Sequence, residues 1–270
     1  VEPEEVLEEL AGLIQKRKVM LFIGAGISKS VDMPLWNELI GALLGEEYDA
    51  ELLGAYGDHL MLAEFIRHQK SQDAVYDKLR EIFHIDTEML GRLQQSPIYK
   101  MIADLECPVI YTTNYDRLIE QYYEITKRPY SRVVHIKDMY RLNPDAVRIM
   151  KFHGDLEDKD SIVLAESEYF QRMDFQHFMD VQLQADMLRY HILFLGYSLS
   201  DINIKMLLYM ARKRQESDCT MKSFIFTATP NQIQKSVFSN HKIVTFSGKD
   251  ADKAQGTEKF LKTLSKLVNN

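Results

Sequence analysis

Cysteine is nearly absent from this chain of 270 residues: there are two, Cys107 and Cys219, far apart. Two distant thiols cannot form the dense disulfide framework of small secreted domains, nor supply the four ligands of a thiolate zinc site. A reducing, cytoplasmic setting is therefore expected. Long apolar runs are missing too; none approaches the ~20 residues that span a bilayer, so no membrane association is expected. No secretory signal pattern is visible, although the chain opens at Val1 rather than a methionine. Excess positive charge is also lacking. A net charge of -7 argues against a general nucleic-acid surface, which needs clustered cations, so no direct nucleic-acid contact is expected. Repeats and low-complexity segments do not occur.

What is present is an ordinary globular composition, 46% hydrophobic and 27% charged, long enough for one large α/β domain or such a domain with a helical insertion. The stretch Val19-Met-Leu-Phe-Ile-Gly24-Ala-Gly26-Ile-Ser28 organises the rest. Five apolar residues in succession read as a strand buried on both faces, hence parallel to its neighbours. The two glycines let the backbone turn tightly and come close to a ligand. A helix starting just after them would aim N–H groups and a positive dipole end at a phosphate. The dinucleotide fingerprint wants a third glycine where Lys29 stands, so an ordinary dehydrogenase is not indicated. On this turn alone a plain Gly turn in an α/β protein is the competing reading.

Residues 3–17 show the spacing of an amphipathic helix, and Trp36, Leu39, Ile40 and Leu43 give the next helix its apolar face. Trp36 reads as a core residue. No strand is evident between 46 and 97, where helical spacing prevails, so this segment is expected to be an insertion lobe. Residues 1–45 and 98–270 then form the main domain. Further buried strands are expected at Cys107–Thr112, Val147–Phe152, His191–Leu195, Ser223–Thr227 and Lys242–Phe246, with a helical stretch over 166–190 and clearer helices at 201–213 and the end of the chain. About six short strands alternating with helices imply a doubly wound parallel sheet. His59, His68 and His84 lack acidic or thiolate company at metal spacing and read as surface or packing residues.

Chemistry-bearing residues gather at the strand ends, where an open α/β sheet binds its ligand. They are Thr112-Thr113-Asn114-Tyr115-Asp116, Phe152-His153-Gly154-Asp155 and Leu195-Gly196-Tyr197-Ser198-Leu199. Together with Gly24–Ser28, and in this order, the blocks resemble those of the sirtuins: Gly-Ala-Gly-Ile-Ser, Thr-Gln-Asn-x-Asp, His-Gly and Gly-Thr-Ser. Thr113 stands for the glutamine and Tyr197 for the threonine. The resemblance spans residues 24–199 and implies a Rossmann-like domain that binds NAD+.

Asn114 carries an amide suited to fixing a water or a ribose hydroxyl, while Asn114 or Asp116 would equally cap the helix through Glu120. The resemblance places both at the nicotinamide-ribose end of the pocket. The ordinary pKa of an imidazole suits a general base at physiological pH, so His153 is a candidate, or it is structural; the resemblance makes it the catalytic histidine. Asn114, Asp116 and His153 are thus the expected catalytic residues. Gly24, Ala25, Gly26, Ser28, Thr112, Gly196 and Ser198 are the expected NAD+ contacts. Asp201 is expected to cap the 201–213 helix, and no obvious carboxylate pair is visible among Asp32, Asp155 and Asp201.

Deacylating sirtuins also carry two Cys-x-x-Cys pairs for zinc and an Asp-Phe-Arg segment. Residues 155–190 hold no cysteine, and Met33-Pro34-Leu35-Trp36 replaces that segment, so no zinc is expected. The remaining pattern looks like the zinc-less sirtuin-like NAD+ hydrolases of bacterial anti-phage defence. The resemblance implies hydrolysis of NAD+ to nicotinamide and ADP-ribose, a homo-oligomer, and a partner such as a hexameric ATPase or helicase or another defence component. A zinc-free deacylase or ADP-ribosyltransferase, and a non-catalytic module sensing NAD+ or ADP-ribose, remain as alternatives.

Overall fold

The computed structural model describes residues 3–45, 58–199, 201–214, 221–228, 232–240, 243–248 and 252–269. Residues 46–57 of the expected insertion and Lys242 of the expected last strand lie outside them. The element order is α1 (Pro3–Gln15), β1 (Val19–Ile23), α2 (Ala25–Ser28), α3 (Trp36–Leu44), α4 (His59–Gln69), α5 (Gln72–Ile82), α6 (Thr87–Gln95), α7 (Pro97–Asp104), β2 (Val109–Thr112) and α8 (Leu118–Ile125). Then follow β3 (Tyr130–Val133), β4 (Val147–Lys151), α9 (Glu166–Gln171), α10 (Phe178–Asp186), β5 (His191–Leu195), α11 (Ile202–Arg214), β6 (Ser223–Thr227), α12 (Gln232–Asn240), β7 (Ile243–Ser247) and α13 (Lys253–Val268).

All strand pairs are parallel, in the order β3-β4-β2-β1-β5-β6-β7. The sheet has seven strands where the apolar runs indicated about six. The additional one is β3, Tyr-Ser-Arg-Val, whose edge position lets it keep polar residues. The helical stretch expected at 166–190 is two helices, α9 and α10, broken where Phe175 adopts a positive φ of 55°.

β1 shows why the sheet is covered on both sides. Val19, Leu21 and Ile23 join one core cluster, with residues of α1, α3–α8 and α13. Met20 and Phe22 join the other, with residues of α10, α11 and α12. Side chains alternate across a strand, so a run without polar residues needs apolar partners on both faces. Ala63, Ile66, Val75, Leu79 and Leu93 of α4–α6 belong to the same cluster as Leu21.

Register aligns the chemistry. Ile23 pairs with Thr112 on one side and Leu195 on the other, and Thr112 with Lys151. The segments beginning at Gly24, Thr113, Phe152 and Gly196 therefore leave the sheet at one level. β1 has β2 on one side and β5 on the other, so connections diverge here and the loops part to leave a crevice.

Candidate active site

The crevice is a cleft of about 1270 Å³ whose lining includes Trp36, Phe83, Tyr115, Thr227 and Asp252. Ala25, Gly26, Asn114, Asp116, His153, Gly196 and Ser198 line it. Gly24, Ser28 and Thr112 sit immediately behind, all buried. Trp36 is both packed against the core and part of the lining.

The glycines meet one another. Gly24 and Gly26 N–H groups donate to the carbonyls of Leu195 and Gly196, at 3.0 and 2.9 Å. A Cβ on Gly24 would fall 2.6 Å from Gly196 O, and one on Gly26 2.9 Å from Gly196 Cα. Gly196 itself has φ +59°, and its Cβ would fall 2.5 Å from Ile27 N. The missing side chains thus serve contact between the β1 and β5 turns, as well as leaving backbone at the cleft surface. The helix after the turn is short: α2 is one turn, continued by a 3₁₀ turn over Lys29–Val31.

Behind the turn, Asn114 Nδ2 donates to Ser28 Oγ at 2.9 Å, and Ser28 Oγ donates to Asp116 Oδ2 at 2.8 Å. Thr112 Oγ1 accepts the Asn114 N–H at 3.1 Å. Asp116 Oδ1 accepts the Leu118 N–H at 3.1 Å, so Asp116, one residue before the N-cap Arg117, takes up the first N–H of α8 while holding Ser28. It also lines the cleft. Ser28 and Thr112 work as joints that fix the Asn114 side chain and loop.

His153 is buried between two elements. Its Nδ1 meets the Tyr169 hydroxyl of α9 at 3.2 Å, and its Nε2 lies 3.1 Å from Asp201 Oδ2 just before α11. That second approach is close in distance but outside hydrogen-bond alignment. Burial pushes the Asp201 carboxyl up, yet the charge of His153 and the N–H groups of Ile204 and Asn203 outweigh it and hold the carboxyl below its ordinary value. Burial also pushes the Tyr169 hydroxyl well above its ordinary value, keeping it neutral.

Asp201 caps α11 through the Ile204 N–H at 3.1 Å, as expected. Its second role, beside His153, was not foreseen; the only sequence signal is an acid a few residues past the Gly196 strand end. The loop between them is bent by Gly196 and by Leu199, a buried residue with φ +54°. Bulky residues rarely adopt that conformation.

Among the described residues no group of three or more His, Cys, Asp or Glu is arranged to hold a metal ion, and no helix is long and apolar enough to cross a membrane. Cys107 is buried and its thiol pushed up to about 12 by burial, which leaves it inert as a ligand or nucleophile.

Comparison with solved structures shows the fold. A Sir2 homologue in complex with NAD gives a TM-score of 0.57 at 12% identity, covering 97% of this chain and 94% of that one. A structure from work on the mechanism and regulation of Sir2 enzymes gives 0.54 at 16% identity, with both chains covered fully. In sequence, the chain is 28% identical over 237 residues to Defense-associated sirtuin 2 of Bacillus subtilis, covering 85% of this chain and 23% of that protein. It is 27% identical over 223 residues to NAD(+) hydrolase ThsA of Bacillus cereus (strain MSX-D12), covering 80% and 42%. The ThsA of Acinetobacter baumannii (strain 532279) is 24% identical over 248 residues, covering 88% and 48%. The chain thus spans less than half the length of these relatives. The family model for the SIR2-like domain matches residues 108–246, just over half of the chain. Seven parallel strands, a cleft at the divergence of β1 from β5, and the Asn114 and His153 blocks at its edge accord with that match: the chain belongs to the SIR2-like domain family.

Proposed function

We propose that this domain hydrolyses NAD+ to nicotinamide and ADP-ribose, as the NAD-depleting part of a bacterial anti-phage defence protein. The observation that carries the reading is the meeting of Asn114 and Asp116, from the end of β2, with His153, from the end of β4, in one cleft of about 1270 Å³. The relatives named NAD(+) hydrolase and Defense-associated sirtuin support the same reading.

Cleavage of the N-glycosidic bond releases nicotinamide as a neutral base, because the ring is cationic in NAD+. No acid need protonate the leaving group. The sugar carbon becomes electron-poor, a water adds to it, and one proton must be removed from that water. Asn114 has its Nδ2 committed to Ser28, so its carbonyl oxygen is the group that accepts from the water or a ribose hydroxyl. His153 takes the proton, and Asp201 stabilises the imidazolium that results. Asp116 keeps Ser28 and Asn114 in place and contributes negative charge at the same end. The β1 and β5 turns, with Ala25, Gly26, Gly196 and Ser198, carry the diphosphate and the second ribose. Water is the acceptor in this reading, in line with the relatives named NAD(+) hydrolase.

NAD+ is then a substrate, the enzyme works in the cytoplasm, and control falls to assembly: self-association, or docking of a partner on the α4–α6 lobe, completes the pocket. The test is release of nicotinamide from NAD+ by the pure protein across a range of concentrations. His153→Ala and Asn114→Ala should each lower turnover by about 10²–10⁴ while the fold persists. Near-normal turnover in a folded His153→Ala protein overturns the assignment, and so does exchange of acyl-peptide for water as the preferred acceptor.

A further inference from the structure

Lys151 ends β4 with its side chain fully buried, an unusual place for an ammonium. Its Nζ donates to the backbone carbonyl of Asp116. It also lies 3.3 Å from Glu120 Oε1 and 3.6 Å from Asp155 Oδ2, both carboxylates buried. Asp155 has further partners, Arg132 at 3.3 Å and the Glu157 N–H at 2.9 Å. Glu120 has none: neither carboxyl oxygen accepts a hydrogen bond.

A buried cation is expensive to retain unless its place does something a neutral side chain could not. A methyl-tipped residue would fill this volume, but it could not donate to Asp116 O. That carbonyl belongs to the loop carrying Asn114 and Asp116 into the cleft, and Lys151 is its support from beneath. Ser28 and Leu118 N–H hold the Asp116 side chain; Lys151 holds its backbone. Register explains the reach: Lys151 is paired with Thr112, from whose strand the loop departs.

We propose that Lys151 is a positioning residue for this site, its buried ammonium fixing the Asn114–Asp116 loop through the Asp116 carbonyl, with Glu120 and Asp155 as its counter-charges. The link to turnover rests on the NAD+ hydrolase reading; the hold on the loop does not. The two variants to compare are Lys151→Met and the double variant Lys151→Met with Glu120→Gln. The single variant strands Glu120 as an unpaired buried carboxylate and should lose stability. The double variant removes both charges, leaves Asp155 paired with Arg132, and should regain most of the melting temperature. The hydrogen bond to Asp116 O and the 3.6 Å approach to Asp155 Oδ2 stay lost in both.

Amide hydrogen exchange over residues 113–118, measured on the free protein, should therefore be at least about tenfold faster than wild type in both variants. In the double variant kcat for nicotinamide release should remain about 10²-fold down, the scale of a small misplacement of reacting groups, with KM within about threefold. Wild-type exchange in the double variant overturns the positioning role and makes Lys151 a charge balance only. Fast exchange with wild-type kcat overturns the link to turnover. A wild-type protein that releases no nicotinamide removes the hydrolase reading, and the exchange result then still decides whether Lys151 holds the loop.

Discussion

Two buried carboxylates, each beside a cationic or basic group, behave oppositely. Asp201 lies 3.1 Å from His153 and Glu120 lies 3.3 Å from Lys151. Asp201 is held below its ordinary pKa, while burial drives Glu120 above its own despite the opposing pull of Lys151. The contrast lies in the company each keeps. The charge of His153 pulls hardest on Asp201 and backbone N–H groups add to it, whereas the charges of Asp155 and Asp116 push Glu120 further up. Asp201 faces backbone N–H groups at the start of α11, and Glu120 accepts none from its surroundings. Proximity to a cation does not by itself set the pKa of a buried acid; neighbouring like charges and the donors aimed at its oxygens count as well. The acid at the cleft is thus built to be an anion, and the acid behind it is a concession to the lysine it accompanies.

The comparison can be broken from either side. The largest effect is expected for Asp201→Asn, which retains a good helix cap and removes only the charge. Loss of the anion beside His153 should lower kcat for nicotinamide release by about tenfold to a hundredfold, the lower range of a general-base contribution. Unchanged kcat in a folded Asp201→Asn protein would reduce Asp201 to a cap.

A smaller effect concerns stability against pH. The folded pKa of Asp201 lies below its unfolded value, so its charge stabilises the fold above the unfolded value of about 3.9. That contribution is lost as the pH falls through the folded value. The stability deficit of Asp201→Asn in urea unfolding should accordingly be greatest near neutrality and shrink in acid. Glu120 runs the other way, since its folded pKa lies above the unfolded value of about 4.3. Its ionisation costs stability from that pH upward, and the stability of Glu120→Gln relative to wild type should rise between about pH 4 and pH 7. A relative stability that falls over the same interval would mean that Lys151 holds Glu120 below its ordinary pKa.

The same two residues show where sequence reading stops. Asn114, His153 and the glycines were legible because each follows a run of apolar residues, and a strand buried on both faces announces its own end. Asp201 was legible only as a cap. The loop before it makes left-handed turns at Gly196 and Leu199, and Leu199 carries no sign in its side chain that its backbone will turn so. Lys151 looks like the polar end of a strand, and its burial follows from a carboxylate on α8 and another four residues on, neither of which marks it. β3 was missed for the opposite reason. An edge strand has one open side, so Tyr130-Ser-Arg-Val keeps polar residues and lacks the apolar run that marks the central strands.

The interlocked glycines have a bearing on how the molecule comes into being. The turn at Gly24–Gly26 is completed only by the backbone at Leu195 and Gly196, and β1 must wait for β5, from Val19 with His191 to Ile23 with Leu195, to be paired on that side. Contacts so distant along the chain form late, since loop closure precedes their reward. On a ribosome the first strand would emerge long before its neighbour, and the cleft would not exist until the residues after β5 had been made. The proposed cleavage of NAD+ would therefore begin only once that part of the chain is in place.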